Sequence, residues 1–331
     1  MDTNFPAGRR GPITKDEVLR TAEELKNWGK WGAEDQIGTL NYITAEDVVN
    51  ACRLVKRGKV FAMGIPLDGN GPQRGHFGGR FNPIHTMLAT GTDAVAGRFD
   101  EMNLRYADDV INMPVQAATH WDSLGHIFLG DKMYNGFDAR LVDSGGVHKN
   151  GIEHTKAKMM GRGVLLDIAR FRGVESLADG EAIYNDELDA CAKAQGVEIG
   201  RGDFVILRTG HMERCRKQGD WGAYAGGDAP GVAFETCRWM HAKQIAGICS
   251  DTWGVEVRPN ETSDVTQPWH WVVIPAMGLT MGEIFDVSGL AADCAQDRIY
   301  EFLFYAPPLV ITGWSARTAR IAKSGACAVN P

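Results

Sequence analysis

Residues 116–126, with the sequence QAATHWDSLGH, constrain this chain more than any other stretch. Gln116, His120, Asp122 and His126 all fall at even positions within it. In an extended strand, side chains two residues apart point to the same side. His120 and Asp122 are therefore predicted to lie on one face, about 6–7 Å apart at their Cα atoms. An imidazole and a carboxylate that converge in this way are typical first ligands of a divalent metal ion.

The two outer members of this set need a bend in the chain to join the inner two. On a straight strand Gln116 and His126 would lie too far away, but Gly125 and the small pair Ala117 and Ala118 are places where the backbone can bend. The alternative is a core strand whose histidines only form hydrogen bonds with neighbours. Four polar chelating groups of one parity favour a binding site over that alternative.

Charge and composition exclude several classes of function. The net charge of −7 gives no reason to expect nucleic acid or an anionic membrane as a partner. Seven cysteines without a C-x-x-C pair indicate reduced thiols rather than disulfides or a cysteine zinc site. No apolar run approaches the ~18–20 residues that span a bilayer, and no apolar signal region follows the N-terminus. We therefore expect a cytoplasmic protein that binds a small molecule.

Helix and strand patterns alternate along most of the chain. Capping patterns at Thr14 and Thr44 predict two helices, the first reaching about Lys26. Further helices are predicted over residues 186–195 (with Asp186 as the cap), 230–243 and 292–304, and strands over residues 60–67, 163–169, 203–209, 245–250 and 309–312. This alternation predicts an α/β fold of packed layers. With no repeat or internal linker, we expect a loose arm over residues 1–13 and one domain over residues 14–331.

The segment between these patterns and the motif has a different character. Residues 68–82 are rich in glycine and are bracketed by Pro66 and Pro83, which predicts a lid or a pocket wall. Elsewhere the sequence has no G-x-G-x-x-G motif that follows a strand, no Walker A loop and no G-x-S-x-G elbow. These absences argue against a nucleotide-dependent enzyme and against a serine hydrolase.

Further candidate ligands lie in the second half of the chain. Glu283 sits in an apolar run, where a carboxylate is costly unless it is paired or bound to a metal ion. His270 lies between two tryptophans, and Asp251 and His211 follow predicted strands, where α/β sheets place their ligands. The alternatives are a capping or surface acid for Glu283, a packed core histidine for His270, and local turn or cap roles for Asp251 and His211.

Residues 116–126 resemble the H-x-G-T-H-x-D-x-P-x-H motif of the cyclase-like metal-dependent hydrolases, the superfamily of bacterial kynurenine formamidase and isatin hydrolase. The resemblance covers most of the chain from about Trp31. It includes weaker matches, in the same order, at residues 150–152, 161–167, 207–210 and 278–283. The last of these is similar to the family's G-I-x-I-x-E pattern.

This resemblance implies roles for five of the candidate residues. His120 and Asp122 match metal ligands, and His126 matches the histidine that acts as general base and acid. Glu283 and, with a one-residue difference in spacing, His270 match the ligands of a second metal ion. The family implies a compact α/β domain of the swivelling β/β/α type in homodimers or homotetramers, with one or two zinc or manganese ions per chain.

The chain departs from the family motif at three positions. Gln116 replaces the first histidine, Ala118 replaces a glycine and Leu124 replaces a proline. A neutral amide oxygen is a weaker, harder ligand than imidazole. The glutamine therefore predicts a separate branch of the family, with a single zinc or manganese ion or with looser metal binding.

Together the residues and the resemblance predict a metal-dependent hydrolase that opens a small amide, a cyclic imide or a lactone. The candidate substrate-binding residues are aromatic or charged: Trp121, Phe77, Phe81, Arg80, His211 and Asp251. Within this set, Arg80 or His211 would meet a substrate carboxylate. Two alternatives are a metal-dependent lyase or dehydratase that uses the same base, and a non-catalytic metal- or ligand-binding protein in which Gln116 has disabled the site.

Overall fold

The computed structural model describes residues 12–313, 316–318 and 327–330 of the 331-residue chain. Residues 1–11 of the predicted arm lie outside the described residues, so the boundary at residue 13 stays a prediction. The described part is an α/β fold, as predicted, built on one nine-stranded mixed sheet. No helix in these ranges is long and apolar enough to cross a membrane.

The elements follow one another in this order. The α-helices are α1 (Lys15–Glu24), α2 (Ala45–Cys52), α3 (Gly91–Val95), α4 (Ile168–Phe171), α5 (Asn185–Gln195), α6 (His211–Gln218), α7 (Thr236–Lys243), α8 (Pro268–Val273) and α9 (Ser288–Asp297). The strands are β1 (Lys59–Ala62), β2 (Ile84–Ala89), β3 (Asp108–Asn112), β4 (His120–Asp122), β5 (Val142–Asp143), β6 (Gly146–Val147), β7 (Met160–Asp167), β8 (Ala182–Ile183), β9 (Phe204–Arg208), β10 (Gly231–Val232), β11 (Gly247–Ser250), β12 (Thr280–Glu283), β13 (Glu301–Tyr305), β14 (Ala316–Thr318) and β15 (Cys327–Asn330). Short 3₁₀ helices cover Gly38–Tyr42, Asp100–Met102, Tyr134–Gly136, Ala139–Leu141 and Ile152–Thr155.

The large sheet has a parallel centre and antiparallel flanks. Its strand order is β1-β15-β13-β7-β9-β11-β12-β4-β14. The four strands β7, β9, β11 and β12 are parallel, whereas β4 runs antiparallel beside β12. β4 therefore approaches the end of β12 from the opposite direction, which brings two distant parts of the chain together at one edge of the parallel group.

Alternating apolar residues bury both faces of the sheet. Leu166 and Val205 face a core cluster that includes residues of α1, α5, α7 and α8. Leu165 and Phe204 face the opposite cluster, which includes residues of α9. Parallel strands buried on both faces need apolar side chains at every position. The continuous apolar runs that predicted β7 and β9 are confirmed.

The two predicted helix starts near the N-terminus are confirmed. The Thr14 hydroxyl accepts a hydrogen bond from the Glu17 N–H at 3.2 Å. Thr44 and Asp47 form a complete capping box at the start of α2. The predicted cap of α5 is wrong, because Tyr184 precedes the helix and Asp186 lies in its first turn.

Two predictions near the C-terminus are also wrong. The predicted helix over residues 292–304 ends at Asp297, and Arg298 adopts a left-handed conformation with a φ of 62°. Residues 301–305 then form β13, in which Phe302 and Phe304 are buried and alternate with more exposed neighbours. This two-residue period is typical of a strand and outweighs the helical pattern. Residues 309–312, predicted as a strand, lie outside any strand.

Candidate metal centre

The centre is built where β4 pairs with β12. His120 lies directly opposite Glu283 in this antiparallel pair, and Trp121 lies opposite Gly282. Residues opposite each other across a strand pair have Cβ atoms about 4.5–5.5 Å apart. Asp122 points to the same side as His120 because it is two residues further along the strand. One strand and its partner thus bring an imidazole and two carboxylates to the same point.

The glycine opposite Trp121 permits this close pairing. A Cβ atom added to Gly282 would lie 2.8 Å from Trp121 Cε3 and 2.6 Å from Phe285 Cε2. Real Cβ atoms do not approach carbon so closely, so any larger residue would push β12 away from β4. The predicted role of Trp121 in the substrate pocket does not agree with its position. Its ring is fully buried on the opposite face and packs against Phe204, Phe285 and Phe304.

The ligand atoms of His120, Asp122 and Glu283 converge in a buried space. His120 Nε2 lies 3.4 Å from Asp122 Oδ1 and 3.2 Å from Glu283 Oε2. One ligand atom from each residue lies within 4.8 Å of the other two. The three residues are 0%, 3% and 4% exposed, so water does not compensate their charges.

Two of these ligand atoms form no hydrogen bond with another described residue. His120 Nε2 and Asp122 Oδ1 are buried and have no hydrogen-bond partner among the described residues. His120 Nδ1 lies 2.8 Å from the Ala118 carbonyl oxygen. Since a carbonyl only accepts, Nδ1 donates, and Nε2 is the ring atom that faces the carboxylates and is able to bind a cation once it has lost its proton. Buried polar atoms are normally paired, so this arrangement of one nitrogen and two oxygens fits a divalent cation.

The electrostatics of the centre agree with this fit. Burial lowers the pKa of His120, but the carboxylates of Asp122 and Glu283 outweigh burial and raise it to about 9. Burial acts to raise the pKa of Asp122, but the neighbouring histidines lower it below its usual value. The pKa of Glu283 is also lowered, because the adjacent histidines His120 and His270 outweigh burial and the charge of Asp122. The centre therefore concentrates negative charge that attracts a cation.

His270 and Glu256 extend the centre beyond the three residues. His270 is buried on α8, and its Nε2 lies 3.5 Å from Glu283 Oε1. Its Nδ1 forms a short hydrogen bond with Glu256 Oε1. Burial lowers the pKa of His270, but Glu256 and Glu283 together raise it to about 10. A histidine oriented by a carboxylate in this way is typical of metal sites. Sequence reasoning missed Glu256, although an acid between two valines is the same signal that identified Glu283.

His126 borders the centre and is partly exposed. Its Nε2 lies 3.9 Å from Asp122 Oδ1, and 22% of its side chain is accessible. The Gln116 amide nitrogen lies 3.5 Å from His126 Nδ1. Burial lowers the pKa of His126, Asp122 raises it, and the positive charge of Arg80 lowers it further. The structure thus places the Gln116 amide against His126, and its predicted role as a metal ligand stays a prediction.

The glycine-rich loop, residues 68–82, lies against this side of the centre. Gln73 Nε2 donates to the carbonyl oxygens of Gln116 and Ala117 at 3.3 and 3.1 Å. The Phe77 ring packs on Trp253 with centroids 5.4 Å apart, and the Arg80 guanidinium lies 4.7 Å from the Phe77 centroid. Phe77 and Arg80 thus belong to a loop that packs on the segment before β4, and its role as a lid or pocket wall stays a prediction.

Three other predicted site residues lie elsewhere. Phe81 is 40% exposed. Asp251 accepts hydrogen bonds from the backbone and hydroxyl of Thr209 and from the Gly210 N–H, so it ties the ends of β9 and β11 together. His211 lines a separate cavity of about 580 Å³ and packs against Tyr224. Neither Asp251 nor His211 is among the three residues that converge as metal ligands.

Comparisons with known proteins identify the family. The Cyclase family model, described as "Putative cyclase", matches residues 33–257. A crystal structure described as a novel cyclase is 37% identical, has a TM-score of 0.82, and the match covers 92% of this chain and 100% of that one. The chain therefore belongs to the cyclase family. A search of the curated proteins finds no match.

More distant solved structures share the fold. Isatin hydrolase A from Ralstonia solanacearum is 17% identical with a TM-score of 0.58, and the match covers 86% of this chain and 97% of that one. Isatin hydrolase A from Labrenzia aggregata, bound to benzyl benzoate, is 17% identical with a TM-score of 0.56, and the match covers 82% and 93% of the two chains. At this identity the similarity establishes the fold alone.

Proposed function

We propose that this protein is a metal-dependent hydrolase that opens a small amide, a cyclic imide or a lactone. The observation that carries the proposal is the pair of unpartnered buried atoms, His120 Nε2 and Asp122 Oδ1, which face each other beside Glu283. Membership of the cyclase family supports it. Isatin is a cyclic amide, so the shared fold of the isatin hydrolases supports the same class of bond.

In this proposal His120, Asp122 and Glu283 hold a zinc or manganese ion, and His270 is available to a second. A bound divalent ion supplies Lewis acidity: it lowers the pKa of water from about 15.7 toward about 7 and polarises the scissile carbonyl. Ala118 fixes the His120 ring through Nδ1, and Glu256 fixes the His270 ring in the same way. These second partners orient the ligands before any ion arrives.

His126 acts as the proton carrier in this proposal. Because its pKa is lowered, its ring is neutral at pH 7 and able to accept a proton from water. The resulting imidazolium lies beside the Asp122 carboxylate, 3.9 Å away, which stabilises the charge. His126 then returns the proton to the leaving nitrogen or oxygen. The contact with Gln116 limits rotation of the ring, so Gln116 is a positioning residue for His126 rather than a metal ligand.

Paired substitutions of two histidines test these roles. We expect His120→Ala to lose the metal ion, and His126→Ala to keep it while turnover falls by about 10²-fold or more. Elemental analysis by mass spectrometry and turnover of a panel of aryl formamides, cyclic imides and lactones measure the two effects. His154→Ala is the matched control, since His154 is exposed on a short 3₁₀ helix.

Three outcomes would replace the proposal. An active, metal-replete His120→Ala protein would remove the metal centre from the mechanism. A metal-loaded protein that converts no member of the panel would favour the non-catalytic binding protein. Product masses without the added mass of water would favour a lyase or dehydratase that uses His126 as its base.

A further inference from the structure

Arg258 carries buried donor groups that no described residue uses. Its Nε and Nη1 atoms are buried and have no hydrogen-bond partner in the part of the chain that the structure describes. Two other partly buried guanidinium groups are paired: Arg172 with Glu187, and Arg208 with Asp167 and Glu213. A charged group that is buried without partners is costly to the folded state. A group of this kind is typical of a binding site, so we expect Arg258 to bind an anionic ligand.

Arg258 stands at one end of a row of stacked side chains. Its guanidinium carbon lies 4.9 Å from the Trp253 ring centroid. Trp253 packs on Phe77, and Arg80 covers the other end at 4.7 Å from the Phe77 centroid. We name these four residues the arginine–aromatic row. The Trp253 ring stabilises one face of the Arg258 guanidinium through a cation–π contact. That contact leaves the N–H groups unused, because they point outward in the guanidinium plane.

Backbone contacts fix the arginine–aromatic row beside the metal centre. The Ile284 N–H, directly after Glu283, donates to the carbonyl oxygen of Thr252, directly before Trp253. Arg258 follows two residues after Glu256, the carboxylate that orients His270. At the other end, Gln73 ties the loop of Phe77 and Arg80 to the backbone of residues 116–117. Both aromatic residues are therefore held by segments that also position groups of the centre.

We propose that the arginine–aromatic row binds the substrate, and that the substrate is a flat, unsaturated molecule with a carboxylate that pairs with Arg258. This inference rests on the proposed function, which places the reacting bond at His120, Asp122 and Glu283. A carboxylate matches the planar N–H donors of a guanidinium better than other common anions of small metabolites. The half-buried Phe77 ring is the aromatic surface of the row that suits a flat body. The negative charge of the substrate is thereby bound by arginine and stays away from the negatively charged carboxylates of Asp122 and Glu283.

Benzoate and benzamide are matched probes for this proposal, since they share a flat body and differ in charge. We expect benzoate to bind the full-length protein, and Arg258→Gln to weaken that binding at least tenfold while benzamide binding stays unchanged. Calorimetric titrations measure both, on metal-loaded protein and on chelator-treated protein. The weaker benzoate binding of Arg258→Gln must also appear in chelator-treated protein. A carboxylate that bound only the metal ion would not depend on Arg258. Arg140→Gln is the control, as Arg140 is exposed and pairs only with Asp138 within the described residues.

A structural role for Arg258 predicts a different result. Because the guanidinium is unsatisfied without ligand, Arg258→Gln should melt no lower than the parent protein. Benzoate should raise the melting temperature of the parent but not of the variant. A large fall in melting temperature, or equal benzoate affinity in both proteins, would overturn the proposal. If Arg258→Gln does not fold, Arg258→Lys tests the same point, since a single ammonium cannot replace a planar pair of donors and should weaken benzoate several-fold.

These outcomes are separate from those that test hydrolysis. A protein that binds benzoate through Arg258 but hydrolyses nothing would keep the recognition site and lose the proposed reaction. A hydrolase that converts esters and free acids equally, with no effect of Arg258→Gln on KM, would keep the reaction and lose the recognition site.

Discussion

Metal binding to this centre should release protons, and the number released follows from the structure. In the metal-free protein, the carboxylates of Asp122 and Glu283 raise the pKa of His120 to about 9. At neutral pH the ring is therefore protonated at Nε2, the atom that faces the carboxylates. A metal ion requires the Nε2 lone pair, so it must displace that proton.

The expected pH dependence is steep below pH 9. At pH 7, which is two units below the pKa of His120, removing the proton from the ring costs about 1.4 kcal/mol for each of these units. Metal affinity at pH 7 should therefore be about 50-fold weaker than at pH 9, where half of the His120 rings have already lost the proton. Between pH 6 and 8 the logarithm of the dissociation constant should fall by about one per pH unit, which is the slope for one released proton.

Calorimetry in two buffers of different ionisation enthalpy counts these protons directly. At pH 6.5, we expect about one proton per ion for a site made of His120, Asp122 and Glu283. His154→Ala, with its exposed ring, should release the same number. If binding released no proton, His120 would be neutral in the metal-free protein. The electrostatic account of the centre would then be wrong, even if the ligands were correct.

Two further predictions concern stability and assembly. Burial lowers the pKa of His211 from 6.5 to about 4. As the pH falls, His211 is therefore protonated in the unfolded chain before it is protonated in the folded chain. This effect leaves the free energy of unfolding unchanged above pH 6.5 and lowers it by roughly 3 kcal/mol in all as the pH falls toward 4. Urea unfolding at pH 7 and pH 4.5 should show a smaller loss for His211→Gln than for the parent. In the two-stranded ribbon of β2 and β3, Leu88 and Val110 are 56% and 48% exposed. Because an isolated ribbon is marginal in water, we propose that a second copy of the chain covers it in the expected homodimer or homotetramer. Light scattering after size exclusion should show an oligomer that Val110→Asp dissociates, and a monomeric parent protein would refute this.

The sequence predicted that His120 and Asp122 converge, and it did so because its parity argument applied to a real strand. His120 and Asp122 lie in β4, and their side chains share a face as expected. The same alternation places Trp121 on the other face, so the parity argument itself excluded it from the pocket. Gln116 lies in a turn before the strand, where parity has no meaning. Its position against His126 depends on how that turn folds.

The remaining parts of the centre depend on contacts between distant segments. The pairing of His120 with Glu283 joins residues more than 160 positions apart, and no local pattern specifies that register. An acid in an apolar run identified Glu283 as a candidate but not its partner. Arg258 was not predicted, because an unpaired guanidinium becomes unusual only once its burial and its neighbours are known.

The charges of the centre connect the number of protons to the number of metal ions. Three carboxylates, Asp122, Glu283 and Glu256, face two histidines whose pKa values are raised to about 9 and about 10. With both histidines protonated, the metal-free centre carries a net charge of −1. One divalent ion bound with loss of the His120 proton gives a net charge of 0, whereas two ions with loss of both histidine protons give +1. The second ion therefore enters a neutral centre, and it must also displace the proton on His270 Nε2, the atom that faces Glu283. We expect the second ion to bind much more weakly than the first, so that a single ion with one released proton is the state at micromolar metal.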